Sequence, residues 1–122
     1  MSNGLIGFVR KPGYSFTNSI SCHPEKNYIS FKLACSQHEN YIAVLQKNGV
    51  ELVVLPALEK HPDAPFVEDT TAILDGLAIA CPNKEKSRQG EGSSIHAEIK
   101  KYIPIKILPE STFLDGGDVL VT

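Results

Sequence analysis

Short apolar runs alternate with polar stretches punctuated by Gly and Pro, and this alternation predicts the elements in order. Gly4-Leu5-Ile6-Gly7-Phe8-Val9-Arg10, closed by Lys11-Pro12-Gly13, predicts a buried strand running into a loop. Residues 13–32 are polar, rich in Ser and Asn, and long for a connection; Tyr14, Phe16 and Ile20 give them apolar anchors, so a docking lid is expected. Ser36-Gln37-His38-Glu39 has the form of a capping box, which predicts a helix from there to about residue 48, stopped by Gly49 in a left-handed conformation. Tyr41, Ile42 and Leu45 share one face of that helix and would pack on a sheet. Residues 50–55 are a β-branched strand run ended by Pro56. Runs at 70–74 and 77–81 flank Asp75-Gly76, a strong hairpin signal because a type I′ turn needs positive φ at both positions. A charged loop containing Arg88 follows. Ile95, Ile99, Tyr102 and Ile103 then have helical spacing up to Pro104, and residues 105–108 form a strand stopped by Pro109. Residues 119–122 predict one more strand.

The order repeats. Gly4-Leu5 opens a strand followed by loop, helix and a strand closed by Leu55-Pro56; Gly76-Leu77 opens the same series, closed by Leu108-Pro109. Such units stack because one alone cannot bury its own faces. The expected class is α/β, within a single domain over residues 1–122, with module one at about 4–56, module two at about 66–109 and the start of a third at 115–122. A third-unit strand without a return strand leaves half its backbone groups unpaired, so the chain is expected to be one piece of a larger fold.

Composition narrows the function classes. With 122 residues, 42% hydrophobic and 21% charged, and a net charge of −2, the chain has the balance of a soluble domain. The 12 Lys and Arg form no basic stripe, which argues against a nucleic-acid partner. No apolar run approaches the ~20 residues that span a bilayer, and the N-terminus lacks signal-peptide layout. Cys22, Cys35 and Cys81 lack CxxC spacing, and the four histidines do not cluster, so neither a disulfide framework nor a metal site is expected. A reducing, cytoplasmic setting fits. Cys81 is expected in the core and Cys35 buried; His38, His61 and His96 are expected at the surface.

The candidate chemistry lies in Pro62-Asp63-Ala64-Pro65-Phe66-Val67-Glu68-Asp69-Thr70, where three acids fall within seven residues. Taken alone, this is a solvated turn before a strand; read as a site, it is an anionic cup for a cationic group. Asp115-Gly116-Gly117-Asp118 alone would be a turn, and Arg88 alone a solvated charge. In an extended strand Glu68 and Asp69 would face opposite ways, so both reach one ligand only where the backbone is irregular.

Together, Pro62 to Thr70, Ser87-Arg88-Gln89-Gly90-Glu91 and Leu114-Asp115-Gly116-Gly117-Asp118-Val119-Leu120 resemble the N-terminal half of the dimethylarginine dimethylaminohydrolases, members of the guanidino-group-modifying superfamily with arginine deiminases and amidinotransferases. The resemblance implies a partial pentein-type α/β propeller of ββαβ modules. It implies hydrolysis of a guanidino C–N bond to citrulline by a cysteine thiolate and a histidine, both outside this chain, with no cofactor. It assigns Asp69 to the substrate guanidinium with Glu68 beside it, Asp63 to the α-amino group, Arg88 to the α-carboxylate, Asp115 to orienting the catalytic histidine, and the loop around Ile20 to the substrate-covering lid. The implied partners are arginine or methylarginine and the C-terminal half of the same fold; homo-oligomerisation is left open. An arginine deiminase-type enzyme and a non-catalytic binding module on the same fold are the alternatives.

Overall fold

The computed structural model of the protein describes residues 4–109 and 111–122. The chain divides into two compact units, Met1–Pro65 and Phe66–Thr122.

In the first unit β1 (Ile6–Arg10) and β2 (Glu51–Leu55) pair in parallel, with Phe8 opposite Val53, and α1 (Phe31–Lys47) connects them. Val9 and Leu55 are buried, and Arg10, 1% exposed, donates from Nη1 to the Pro56 carbonyl at 2.7 Å. The helix begins six residues before the expected Ser36. Its N-cap is Ser30, whose hydroxyl accepts the Leu33 N–H at 3.2 Å. The reason is packing: Phe31, Ala34, Cys35, His38, Ile42 and Leu45 recur at helical spacing and are half-buried, so the apolar stripe extends upstream of the capping-box signal. An edge-to-face contact between Tyr14 and Phe31, centroids 5.6 Å apart, anchors the first turn. Tyr41, expected on the packed face, falls at the border of the stripe and is 55% exposed. The C-terminus is as expected: Gly49 has φ +84°, and the Val50 N–H reaches back to the Leu45 carbonyl at 3.1 Å.

His38 is half-buried rather than exposed. Burial first, and then the positive charge of Lys11, hold its imidazole below the usual histidine range. A folded pKa below the unfolded value means that protonation favours the unfolded chain. Stability contributed by neutral His38 is therefore present above an unfolded pKa of about 6.5 and falls away as the pH drops through it. Accordingly, His38→Gln should flatten the decline in urea midpoint between about pH 7 and pH 5. An identical decline in both proteins would refute the assignment.

The segment at 13–32 is structured. Two 3-10 turns, Tyr14–Asn18 and Lys26–Tyr28, break it up. The Glu59 carboxylate accepts the N–H groups of Tyr14 and Ser15 at 2.8 and 3.1 Å, which pins its start.

In the second unit β3 (Thr71–Leu74) and β4 (Leu77–Ala80) form an antiparallel hairpin, α2 (Ser93–Ile99) follows, and β5 (Ile105–Ile107) pairs in parallel with β4. The order β3-β4-β5 is one ββαβ unit. The hairpin turn is the expected one, with Asp75 at φ 47° and Gly76 at φ 76°. Ala72, Ala78, Ala80, Cys81, Ile95 and Ile99 form its core. The second helix stops at Ile99, before the expected Ile103; the chain closes with Tyr102 and Ile103 donating to the Ile99 carbonyl, and Tyr102 is half-exposed. Residues 119–122 form no strand. β-branching alone does not make one, because their backbone groups meet no strand within the unit.

Candidate functional site

Two short 3-10 turns meet in the second unit. Val67–Thr70 presents Asp69, and Gly116–Asp118, capped by Asp115, lies against it. The irregular backbone at Glu68 and Asp69 replaces the extended geometry that would have separated them. Glycines make the approach possible: a Cβ at Gly116 would overlap the Glu68 carbonyl oxygen, and one at Gly117 would overlap Asp69 Oδ1 and lie 3.2 Å from Asp115 Oδ1. These two clashes differ in kind. Gly116→Ala drives against backbone and should destabilise by about 1–3 kcal/mol. Gly117→Ala meets the movable end of a side chain and should cost less than about 1 kcal/mol. Urea unfolding of both variants checks this, and equal losses would contradict it.

Arg88 lies at the centre of the site. It ends the 3-10 turn Lys86–Arg88 and is 8% exposed, although the sequence places it in a charged loop. Its Nη1 donates to Asp69 Oδ2 at 2.7 Å and its Nη2 to the Phe66 carbonyl at 3.2 Å. The other edge faces Glu91: Nε lies 3.1 and 3.2 Å from the two carboxylate oxygens, and Nη2 lies 2.5 Å from Oε1. Burial works against the cation, but hydrogen bonds and charge from Glu91 and Asp69 outweigh it and hold the guanidinium above its ordinary range. Glu91, 3% exposed, is a member of this cluster that the sequence reading left without a role. Its signal was the i,i+3 spacing from Arg88.

Asp115 accepts the Gly117 N–H at 2.9 Å. Burial raises its carboxyl; the Gly117 bond opposes this, and a hydrogen bond with Asp69 together with the nearby acidic charges raises it further. Asp69, Arg88 and Glu91 line a cleft of about 240 Å³ with Cys81 and His96. His96, expected at the surface, is half-buried, and its Nε2 lies 3.1 Å from the Thr70 carbonyl and 3.0 Å from Thr71 Oγ1. Cys81 is buried as expected; burial pushes its thiol up, a backbone hydrogen bond from Ala72 pulls the other way, and Asp115 adds to the rise.

The predicted residues thus fall in two places. Asp69, Arg88 and Asp115 come together in the second unit, with Glu68 exposed beside Asp69. Asp63 and Ile20 come together in the first, where buried Asp63 accepts the Ile20 N–H at 3.2 and 3.1 Å. Cys22 is exposed, and His61 is half-buried rather than at the surface. Among the described residues, no group of three His, Cys, Asp or Glu side chains could hold a metal ion, and no helix is long and apolar enough to cross a membrane.

Comparison with known proteins identifies the family and the fold. The family described as "N,N dimethylarginine dimethylhydrolase, eukaryotic" matches residues 13–121. An N(G),N(G)-dimethylarginine dimethylaminohydrolase of Pseudomonas aeruginosa is 31% identical over 93% of this chain and 45% of its own length. That of Streptomyces coelicolor is 26% identical over 92% of this chain and 44% of its own. Among solved structures, a dimethylarginine dimethylaminohydrolase adduct with S-methyl-L-thiocitrulline superposes with a TM-score of 0.91 at 25% identity, covering 97% of this chain and 47% of that one. The Pseudomonas aeruginosa enzyme with citrulline gives 0.90 at 25% identity, covering 96% and 46%. The N-terminal domain of ArgZ, an arginine dihydrolase, shares the fold at 16% identity and a TM-score of 0.77. The chain spans a little under half the length of the curated relatives it matches, and has the corresponding part of a pentein-type α/β fold. It belongs to the dimethylarginine dimethylaminohydrolase family.

Proposed function

We propose that this chain supplies the guanidinium-recognising half of a hydrolase that converts methylarginine or arginine to citrulline. One observation carries the reading: Asp69 already accepts a guanidinium, that of Arg88, at 2.7 Å. A carboxylate matches the planar fork of a guanidinium, so the same group suits a substrate's side-chain end. In this reading Asp69 receives the substrate guanidinium with Glu68 beside it in the same turn, and Arg88 meets the α-carboxylate. Asp63 meets the α-amino group, and the loop at Ile20, which it already holds, covers the ligand. Asp115 orients the histidine by fixing its tautomer.

The reaction needs a thiolate to attack the guanidino carbon, a histidine to protonate the departing amine, and water to release citrulline from the thioether-like intermediate. Cys81 is poorly suited to the first role, since burial and Asp115 favour its neutral thiol. As the family resemblance implies, this reading assigns the nucleophile and histidine to the C-terminal half of the same fold, in the same or another chain. Its docking would cover Ile107, Leu120 and Val121, which are 77%, 85% and 61% exposed. The relatives' name, and the citrulline held by one related structure, support the substrate class. The three free cysteines suit a reducing cytoplasm.

The test combines this chain with its C-terminal half and supplies N,N-dimethylarginine or arginine. Citrulline should form only when both halves are present. An absence of citrulline from either substrate would overturn the enzyme reading, and the relative rates choose between the two substrates.

A further inference from the structure

We propose that His96 is a positioning residue, which sets the turn carrying Glu68 and Asp69 through one directed chain of hydrogen bonds. The inference rests on the substrate reading above. A 3-10 turn of four residues, such as Val67–Thr70, has poor hydrogen-bond geometry and little cooperativity of its own, so side chains must fix it. Thr70 Oγ1 donates to the Val67 carbonyl at 2.7 Å, and Thr71 Oγ1 lies 3.1 Å from Thr70 Oγ1. His96 Nε2 lies 3.0 Å from Thr71 Oγ1 and 3.1 Å from the Thr70 carbonyl. The carbonyls decide the direction. Val67 can only accept, so the Thr70 hydroxyl uses its single hydrogen there and must accept from Thr71. The Thr71 hydrogen is then used as well, and its oxygen has only lone pairs left for His96. The Thr70 carbonyl takes the Cys81 N–H at 2.9 Å and has a second lone pair to offer. Both neighbours of Nε2 are therefore acceptors, and the ring must carry its hydrogen on that nitrogen. The chain runs one way, from His96 through Thr71 and Thr70 to Val67, and ties the first residue of the turn to its last. Gly92 supplies the room. A Cβ there would overlap His96 Cε1 and lie 3.3 Å from Thr70 Cβ, while a φ of −80° suits any residue. Glycine serves close approach here rather than backbone freedom. His96 acts on the ligand only through the turn.

The experiment uses this chain assembled with its C-terminal half, with arginine as the probe: calorimetry gives affinity and urea unfolding gives stability. His96→Leu removes the donor and should weaken arginine about tenfold. His96→Gln carries an amide NH₂ at the position of Nε2 and should hold affinity within about threefold of the parent. Gly92→Ala pushes the ring away from both threonines and should cost as much affinity as His96→Leu. The two together should cost no more than either alone, because both break the same contact. A role in stability alone predicts a lower urea midpoint with unchanged affinity. Nitrogen NMR of the histidine-labelled parent needs no substitution; recorded where free imidazole is neutral, it should find the proton on His96 Nε2. The proposal is overturned if His96→Leu binds like the parent, if His96→Gln does not hold affinity, if the two losses add, or if the proton sits on Nδ1. Should the parent bind no arginine, the substrate reading fails and the positioning role with it; should the parent bind and only the variants or the proton's place depart from expectation, this inference alone fails.

Discussion

Asp69→Asn is expected to lower citrulline release by the proposed assembled hydrolase by about 10²- to 10³-fold, the range for removing one partner of an enclosed charge pair. Asn keeps the size of Asp and one acceptor oxygen, but it replaces the other oxygen with an NH₂ group. A guanidinium has only donors, so that NH₂ meets a donor and the bidentate match is lost. The fold should survive the change, because Glu91 still pairs Arg88. Calorimetric titration with arginine separates recognition from chemistry, since the variant should show no binding heat while its urea midpoint stays close to that of the parent. Turnover within tenfold of the parent would remove Asp69 from the site.

Arg88→Ala should produce the largest loss of stability, about 3–5 kcal/mol, through the mechanism that makes broken buried pairs costly. Glu91 would keep a carboxylate at 3% exposure with its cation gone, and the Phe66 carbonyl would lose its 3.2 Å donor. Removing both partners should be far cheaper: Arg88→Met with Glu91→Leu places apolar groups of similar volume in the same space and should recover most of the loss. Urea unfolding of the parent, the single variant and the double variant measures both steps. A single-variant loss below about 1 kcal/mol would mean that water reaches Glu91 despite its burial.

Reading the chain worked where the cause is local. Asp75-Gly76 turns the second-unit hairpin because both residues accept positive φ, and Gly49 ends the long helix for the same reason. Pro56 and Pro109 mark strand ends because proline brings no N–H donor. Reading failed where two local signals competed or where the cause was distant. Ser36-Gln37-His38-Glu39 satisfies every local rule for a helix start, yet Ser30 caps the helix, because Phe31, Ala34 and Cys35 pack along the same stripe. Arg88 resembles any solvated loop charge until a carboxylate 19 residues upstream and another three residues downstream converge on it.

The candidate site divides along the same line. Which acids and which arginine to single out was legible, because their ordered spacing at 63, 69, 88 and 115 is a property of the chain itself and resembles one family. The pairing was not. That Asp69 shares Arg88 with Glu91 and lies against Asp115 is decided only when two close-approach glycines and the short 3-10 turns bring distant segments together, and that Asp63 holds the Ile20 N–H is decided only by the folding of the first unit. Residue type sets what a side chain can donate, accept or carry as charge, and so the sequence determines the chemistry available. Burial and proximity set which partner it meets and how strongly, and those exist only in three dimensions.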